Sequence, residues 1–251
     1  MITRLQFDCL QADWPAPATV HTASTLRSGG VSAPPFDTLN LGAHVGDEPE
    51  AVRSNRQRLR AALRLPGEPC WLNQVHGSRV IEAGQWTSPA EADADACIAR
   101  RPGQVCAVMT ADCLPVLFCN REGDRVAAAH AGWRGLAGGV LESTISSLGL
   151  PGTQILAWLG PAIGPQAFEV GDEVRIAFTA RDAVAARAFR PSHRAGHWLA
   201  DLYLLARQEL TRLGVHAVYG GGFCTYSDAA RFFSYRRDGR TGRMASLIWL
   251  D

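Results

Sequence analysis

Two histidines and a cysteine stand at similar points along the chain: His76 in "NQVHGSRV", Cys113 in "VCAVMTADCLPVLF" and His130 in "AAAHAGWRG". Each lies at the edge of an apolar run with small residues nearby. Strand ends of this kind are where a rigid scaffold presents side chains to a cleft. Two imidazoles and a thiol make a three-ligand set. Catalytic zinc takes three protein ligands and keeps a fourth position for water, whereas structural zinc usually takes four. The spacings, 37 and 17 residues, match no zinc finger. The same residues fit a second chemistry, a cysteine hydrolase with Cys113 as nucleophile and His130 or His76 as its base. Taken singly, each has a plainer reading as a satisfied strand-end His or a core Cys.

The elements that must position these residues are read from periodicity. Apolar runs at 71–75, 78–82, 104–110, 114–119 and 125–130 predict strands, separated by Gly, Asp and Asn. Asp47-Glu-Pro-Glu50 predicts a helix start with Asp47 as cap, running to about Leu65 before Pro66-Gly67. Further helices are expected at about 135–148, 171–188 and 199–214, the last with Leu199, Leu202, Leu205, Leu210 and Leu213 near a 3.6 period. Strands are expected at 155–159, 215–219 and 244–249. Strands and helices mix without strict βαβ alternation, so the fold class is α/β (α+β), with a mixed sheet and one domain spanning 1–251.

Bulk properties narrow the function. The chain of 251 residues is long enough for a sizeable core, with 47% hydrophobic and 20% charged residues. A net charge of +1 advertises neither nucleic acid nor an anionic membrane as partner. The opening "MITRLQFDCLQADWPAPATV" has no signal-peptide core, and no apolar run is long enough to span a bilayer, so a cytoplasmic location is expected. Seven irregularly spaced cysteines, with no CxxC, point to reduced thiols rather than a disulfide framework.

From about residue 25 to 250 the stretches "TLRSGGVS", "FDTLNLGAHVGDEPEAVRSNRQRL", "NQVHGSRV", "DADA", "TADCLPVLF", "HAGWRGL", "LGPAIGPQAFEVGDEV" and "CTYSDAARFFSYRRDGRTGRMASLIWL" follow one another in order. Together they resemble the bacterial laccase-domain family, long labelled polyphenol oxidases and also described as purine nucleoside phosphorylases. The human laccase domain-containing protein and a peptidoglycan editing factor belong with them. The resemblance implies one zinc per chain on His76, Cys113 and His130. It implies an α-β-β-α sandwich similar to the toxin-deamidase fold of cysteine hydrolases. It also implies phosphorolysis of adenosine, inosine, guanosine and 5′-methylthioadenosine with inorganic phosphate, and adenosine deamination as a side activity. A third reading, a factor editing peptidoglycan precursors, follows from the family's other name. Multicopper oxidation of phenols does not fit: it needs many imidazoles, commonly in HxH pairs, and this chain has seven His and no HxH. The expected partners are small molecules, in a monomer or weak homodimer.

Phosphate calls for cations, and a guanidinium fork suits it. Arg27 in its Gly-flanked turn and Arg236 in "SYRRDG" are the candidates, while Arg134 could instead lie along Trp133. His44 is either a proton carrier near the purine or a structural partner of Asp47. Phe232, Phe233 or Trp133 could stack on a base or fill the core. Asp112 could orient a ligand or cap a turn, and "GPAIGPQAFEVGDEV" could shape a loop, a pocket wall or a dimer contact. His130 would close a buried strand, with Gly132 and Gly135 allowing a tight turn and a helix start beyond them facing an anion.

Overall fold

A computed structural model describes residues 8–84 and 92–251. The first seven residues, on which the reading of the N-terminus partly rests, lie outside that range. In chain order the elements are β1 (Cys9–Leu10), β2 (Val20–Thr25), α1 (Pro49–Leu63), β3 (Pro69–Cys70), β4 (Leu72–Asn73), β5 (Val80–Glu82), β6 (Ala92–Asp93), β7 (Ala96–Ala99), β8 (Val105–Thr110), β9 (Leu114–Asn120) and β10 (Val126–Ala131). There follow α2 (Trp133–Ala137), α3 (Val140–Leu148), β11 (Ile155–Leu159), β12 (Glu169–Gly171), α4 (Asp172–Thr179), β13 (Phe189–Pro191), β14 (His197–Ala200), α5 (Leu202–Arg212), β15 (Ala217–Gly220), α6 (Tyr235–Asp238) and β16 (Met244–Leu250).

Two mixed sheets carry the fold. The first has the order β1-β2-β16-β8-β3, and the second β15-β11-β9-β10-β7-β5. In the first, β16 runs antiparallel to both β2 and β8, while β3 is parallel to β8. In the second, β9 is antiparallel to β10 and β11, and β15 is parallel to β11. The apolar side chains of these strands sort into three layers. Leu59 of α1 packs with Ala107, Ala245 and Leu247 on the outer face of the first sheet. Cys106, Val108 and Ile248 meet Leu117, Cys119, Ala128 and Trp158 between the sheets. Val116, Phe118, Ala129 and Leu159 pack on the far side against Val140, Leu141, Leu148, Leu202, Leu205 and Leu210 of α3 and α5. The order helix, sheet, sheet, helix follows from these contacts. Strands apolar on both faces are what two-sided burial demands, and each large side chain taken out of water there contributes about 1.5–3 kcal/mol.

Several expected boundaries shift, each for a local reason. The segment expected as one helix over 171–188 ends at Thr179, and a 3-10 turn occupies Ala183–Ala188. Asp182 breaks it, because its carboxylate accepts the backbone N–H of Val184 and starts the second turn. The helix expected from residue 199 begins at Leu202: Leu199 and Ala200 belong to β14, and Asp201 caps α5 by accepting from Leu204 N–H. The expected helix at 135–148 is two helices, divided at Gly138 and Gly139, the latter with φ 88°. Asp47 is not the cap of α1. That position is Glu48, while Asp47 accepts from Ser32 Oγ and Asn40 Nδ2 and so ties down the preceding loop. All seven cysteines are free thiols.

Candidate metal centre

The chain crosses from the first sheet to the second between β8 and β9, and Cys113 lies in that crossing. The crossing turn is tight, with Asp112 at φ 95°. Asp112 is pinned from two sides: its carboxylate accepts from Thr225 Oγ1 at 2.6 Å and from the backbone N–H of Arg236 at 2.7 Å. It therefore anchors the 220–236 segment rather than a ligand. His130 sits near the end of β10, opposite Pro115 of β9, which puts it beside the crossing. His76 comes from the loop after β4. Gln74 fixes that loop to the end of β8, donating to Met109 O at 2.8 Å and accepting from Met109 N–H at 2.7 Å. His76 itself has φ 61°, a left-handed conformation uncommon outside glycine.

These three elements bring the side chains together. One ligand atom each from His76, Cys113 and His130 lies within 4.8 Å of the others, the one such group of three found among the described residues. Cys113 Sγ and His76 Nε2 are 3.9 Å apart, and the two imidazoles meet edge to face with centroids 4.8 Å apart. His130 is buried, Cys113 half-buried and His76 exposed, so the group opens to solvent on one side. Two nitrogens and a thiolate are the donor set that zinc accepts, and an open side is what a catalytic site keeps. The residues present therefore fit a bound metal.

Charge reinforces the arrangement. Burial pushes the Cys113 thiol up, yet the adjacent His130 and His76 override it and hold the thiol down at about 6. Burial pulls His130 down, but the Cys113 thiolate and the Asp95 carboxylate raise it to about 9. Burial raises Asp95 as well, and its hydrogen bonds to His130, Gly77 and His76 still leave it below the usual carboxylate range. Asp95 stands in "DADA" and is absent from any role that composition or spacing assigns. It accepts from His130 Nδ1 at 2.8 Å.

The glycines of "HAGWRG" are required for space. Gly132 has φ −61°, open to any residue, but a Cβ there would lie 2.9 Å from Cys113 Sγ and 3.1 Å from His76 Cδ2. A Cβ on Gly135 would lie 2.9 Å from Gly77 O. The tight turn expected of them is replaced by close approach of this strand end to the His76 loop.

A cleft of about 400 Å³ opens over the group, lined by His44, Gln74, His76, Met109, Thr110, Ala111, Cys113, His130, Tyr235 and Arg243. His44 is part of that lining. Arg27 and Arg236 are not in that lining. The Arg27 guanidinium donates to Asp37 and to Ala229 O and lies 5.0 Å over Phe233. That of Arg236 donates to Glu169 O and stands 5.4 Å over Phe168. Arg134 lies along Trp133, 4.3 Å over its ring. Phe232 and Phe233 are fully buried core residues, leaving Tyr235 as the aromatic side chain of the cleft. The 160–165 loop packs behind Asp112, through Ile163 N–H to Asp112 O and Ala162 N–H to Tyr203 Oη. Arg243 and Tyr235 lie within motifs quoted above. What hid them is that Arg243 immediately precedes the mostly apolar β16 and Tyr235 precedes two more conspicuous arginines.

A layered α/β fold with a His–Cys–His group at the crossing of its two sheets defines a protein with a candidate metal centre. Residues 21–251 match the family described as multi-copper polyphenol oxidoreductase laccase, and the chain belongs to that family. It is 62% identical over 243 residues to a Pseudomonas aeruginosa protein named purine nucleoside phosphorylase, covering 96% of this chain and 98% of that one. It is 59% identical over 238 residues to the Escherichia coli purine nucleoside phosphorylase YfiH, covering 94% and 96%. Among solved structures it superposes on a Neisseria meningitidis protein with a TM-score of 0.93 at 55% identity, covering 97% and 99% of the two chains. It also superposes on YlmD of Geobacillus stearothermophilus with a TM-score of 0.86 at 31% identity, covering 96% of each. None of the described helices is long and apolar enough to cross a membrane.

Proposed function

We propose that this chain is a zinc-dependent purine nucleoside phosphorylase acting on adenosine, inosine, guanosine and 5′-methylthioadenosine, with adenosine deamination as a side activity. The observation that carries the reading is the His76, Cys113, His130 group at the floor of a cleft of nucleoside size. The names of relatives that match nearly the whole chain support it. His76, Cys113 and His130 would hold one zinc ion, which when bound supplies Lewis-acid polarisation of oxygen. The chain's own residues supply the rest. Arg243 is the cation of the cleft, with its guanidinium anchored on Thr241 O and Gly242 O, and we assign it the phosphate in place of Arg27 and Arg236. Tyr235, 61% exposed at the mouth, offers a ring face for the purine. His44 faces the same space and can carry a proton to the leaving base. The reading takes residues 1–251 as one domain, working in the cytoplasm as a monomer or weak homodimer on small molecules.

The test is purified protein, metal-analysed and assayed on each nucleoside with and without inorganic phosphate. Phosphate-dependent release of free base is expected, with ribose 1-phosphate from adenosine, inosine and guanosine and 5-methylthioribose 1-phosphate from 5′-methylthioadenosine. The variant His130→Ala should lose most of its zinc and its turnover while remaining folded. Turnover unchanged in a zinc-free preparation would overturn the assignment.

One observation favours a second reading. The lowered Cys113 thiol beside two imidazoles is also the set of a cysteine hydrolase, in keeping with the toxin-deamidase resemblance. Chelation separates the two, since a hydrolase of this kind keeps its activity when metal is stripped.

A further inference from the structure

We infer that Asp95 is a positioning residue that sets both histidine ligands at once, one through its backbone and the other through its ring. The inference rests on the metal reading above and deepens it. The Asp95 side chain is fully buried. Its Oδ1 accepts from His130 Nδ1 at 2.8 Å and from the backbone N–H of His76 at 2.9 Å. Its Oδ2 accepts from the backbone N–H of Gly77 at 2.7 Å and of Val75 at 3.2 Å. The Asp95 carbonyl also accepts the backbone N–H of His130 at 2.7 Å. A buried carboxylate is tolerated only when its lone pairs are filled, and these four donors fill them.

Two consequences follow for the ligands. The Nδ1–H of the His130 ring is committed to Asp95, so Nε2 is the nitrogen left for the metal side, giving up any proton it holds when metal binds. The amides of residues 75, 76 and 77 converge on one carboxylate, which holds His76 in its left-handed conformation. The separation of the two imidazoles is thereby fixed by protein groups, and the pair is preset in the metal-free chain. An amide cannot replace this carboxylate. Turned either way, the NH2 group of an Asn would face N–H donors, those of His130 and His76 or those of Val75 and Gly77. The first arrangement releases the His130 tautomer and the second releases the His76 loop.

The experiment compares wild type, Asp95→Asn and Asp95→Glu. Zinc affinity is measured by competition with a chromophoric chelator. The His130 ring is followed by 1H–15N correlation spectra of metal-free protein, and folding by circular dichroism. In wild type without metal, Nδ1 of His130 is expected to carry a proton whatever the state of Nε2. Asp95→Asn should lower zinc affinity 10–100-fold and lower the occupancy of the Nδ1 proton, with secondary structure retained. Asp95→Glu, which keeps the charge but misplaces it, should also lose affinity. A wild-type ring protonated on Nε2 alone, or an Asn variant with zinc affinity within about twofold of wild type, would overturn the inference. If Asp95→Asn does not fold, the wild-type spectrum and the Glu variant still decide it. If wild type binds no zinc, the metal reading fails, while the spectra of metal-free protein still decide whether Asp95 fixes His130.

Discussion

At Gly132 a single added methyl would press on two of the three side chains of the candidate metal centre, Cys113 and His76, at 2.9 and 3.1 Å. Gly132→Ala is therefore expected to damage the site more than the fold. Zinc affinity should fall by about tenfold or more, on the scale of other changes that misplace ligands, with a stability loss of about 1–3 kcal/mol from overpacking. Equilibrium dialysis against zinc and urea unfolding measure the two effects, and full zinc affinity would show that the loop yields easily. Cys113 supplies a sharper discrimination. In metal-free protein its thiol, held at about 6 by His130 and His76 against the effect of burial, is largely thiolate at neutral pH. Peptide-resolved iodoacetamide labelling should thus be fast after chelation and slow in zinc-loaded protein, where the metal occupies the sulfur. Fast labelling of zinc-loaded protein, with turnover lost in step and zinc unchanged, would favour the cysteine hydrolase.

At the scale of elements, the loop between β2 and α1 owes its shape to one side chain. Asn55, buried in α1, accepts from Val31 N–H and donates to Ser32 Oγ, Thr38 O and Asn40 O. Asn55→Ala strands several of those groups away from water and should cost about 2–4 kcal/mol, taking each orphaned group at about 1–3 kcal/mol with partial relaxation. A urea midpoint shift reads it, and a change under about 0.5 kcal/mol would mean that water replaces the amide. Such long-range polar ties explain how much of the molecule was legible in its sequence. β8, β9, β10, β11 and β16 stood out because they are short apolar runs buried on both faces and mostly flanked by Gly, Asp or Asn, which favours strand over buried helix. β2, with "VHTAST", and β14, with "HWLA", carried no such run, and β14 was absorbed into the leucine period of α5. The three residues of the candidate metal centre were visible as reactive side chains at strand edges. Asp95 was not, since a buried Asp is recognisable only by partners that lie 18 to 35 residues away in sequence. For the same reason Arg27 and Arg236 read as phosphate ligands: nothing local announces that Asp37, Ala229 and Glu169 already occupy them.

At the scale of the whole molecule, the candidate metal centre sits on the crossing between the two sheets, so metal is expected to bind the folded chain far better than the unfolded one. Zinc at 100 times its Kd should add about 2.7 kcal/mol to the unfolding free energy. Chelation should lower Tm reversibly, and a Tm unmoved by zinc would argue against a site of that affinity. Leu247 of β16, fully buried on the outer face of the first sheet, is a test of the scaffold itself. Leu247→Ala should cost about 2–5 kcal/mol, read by thermal or urea unfolding, and a smaller loss would mean that the layer beneath α1 collapses to fill the gap. The place of β16 between β2 and β8 also has a meaning in time. Synthesis delivers β2 early and β16 after the other strands of the described residues, yet β2 reaches β8 only through it. During translation the first sheet can exist only as separated edges, with their apolar faces waiting for a partner still inside the ribosome. The crossing that carries Cys113 can take up its final place only after that partner arrives. Acquisition of metal thus waits on β16, and a nascent chain stalled before residue 244 should leave Cys113 as open to alkylation with zinc present as without it.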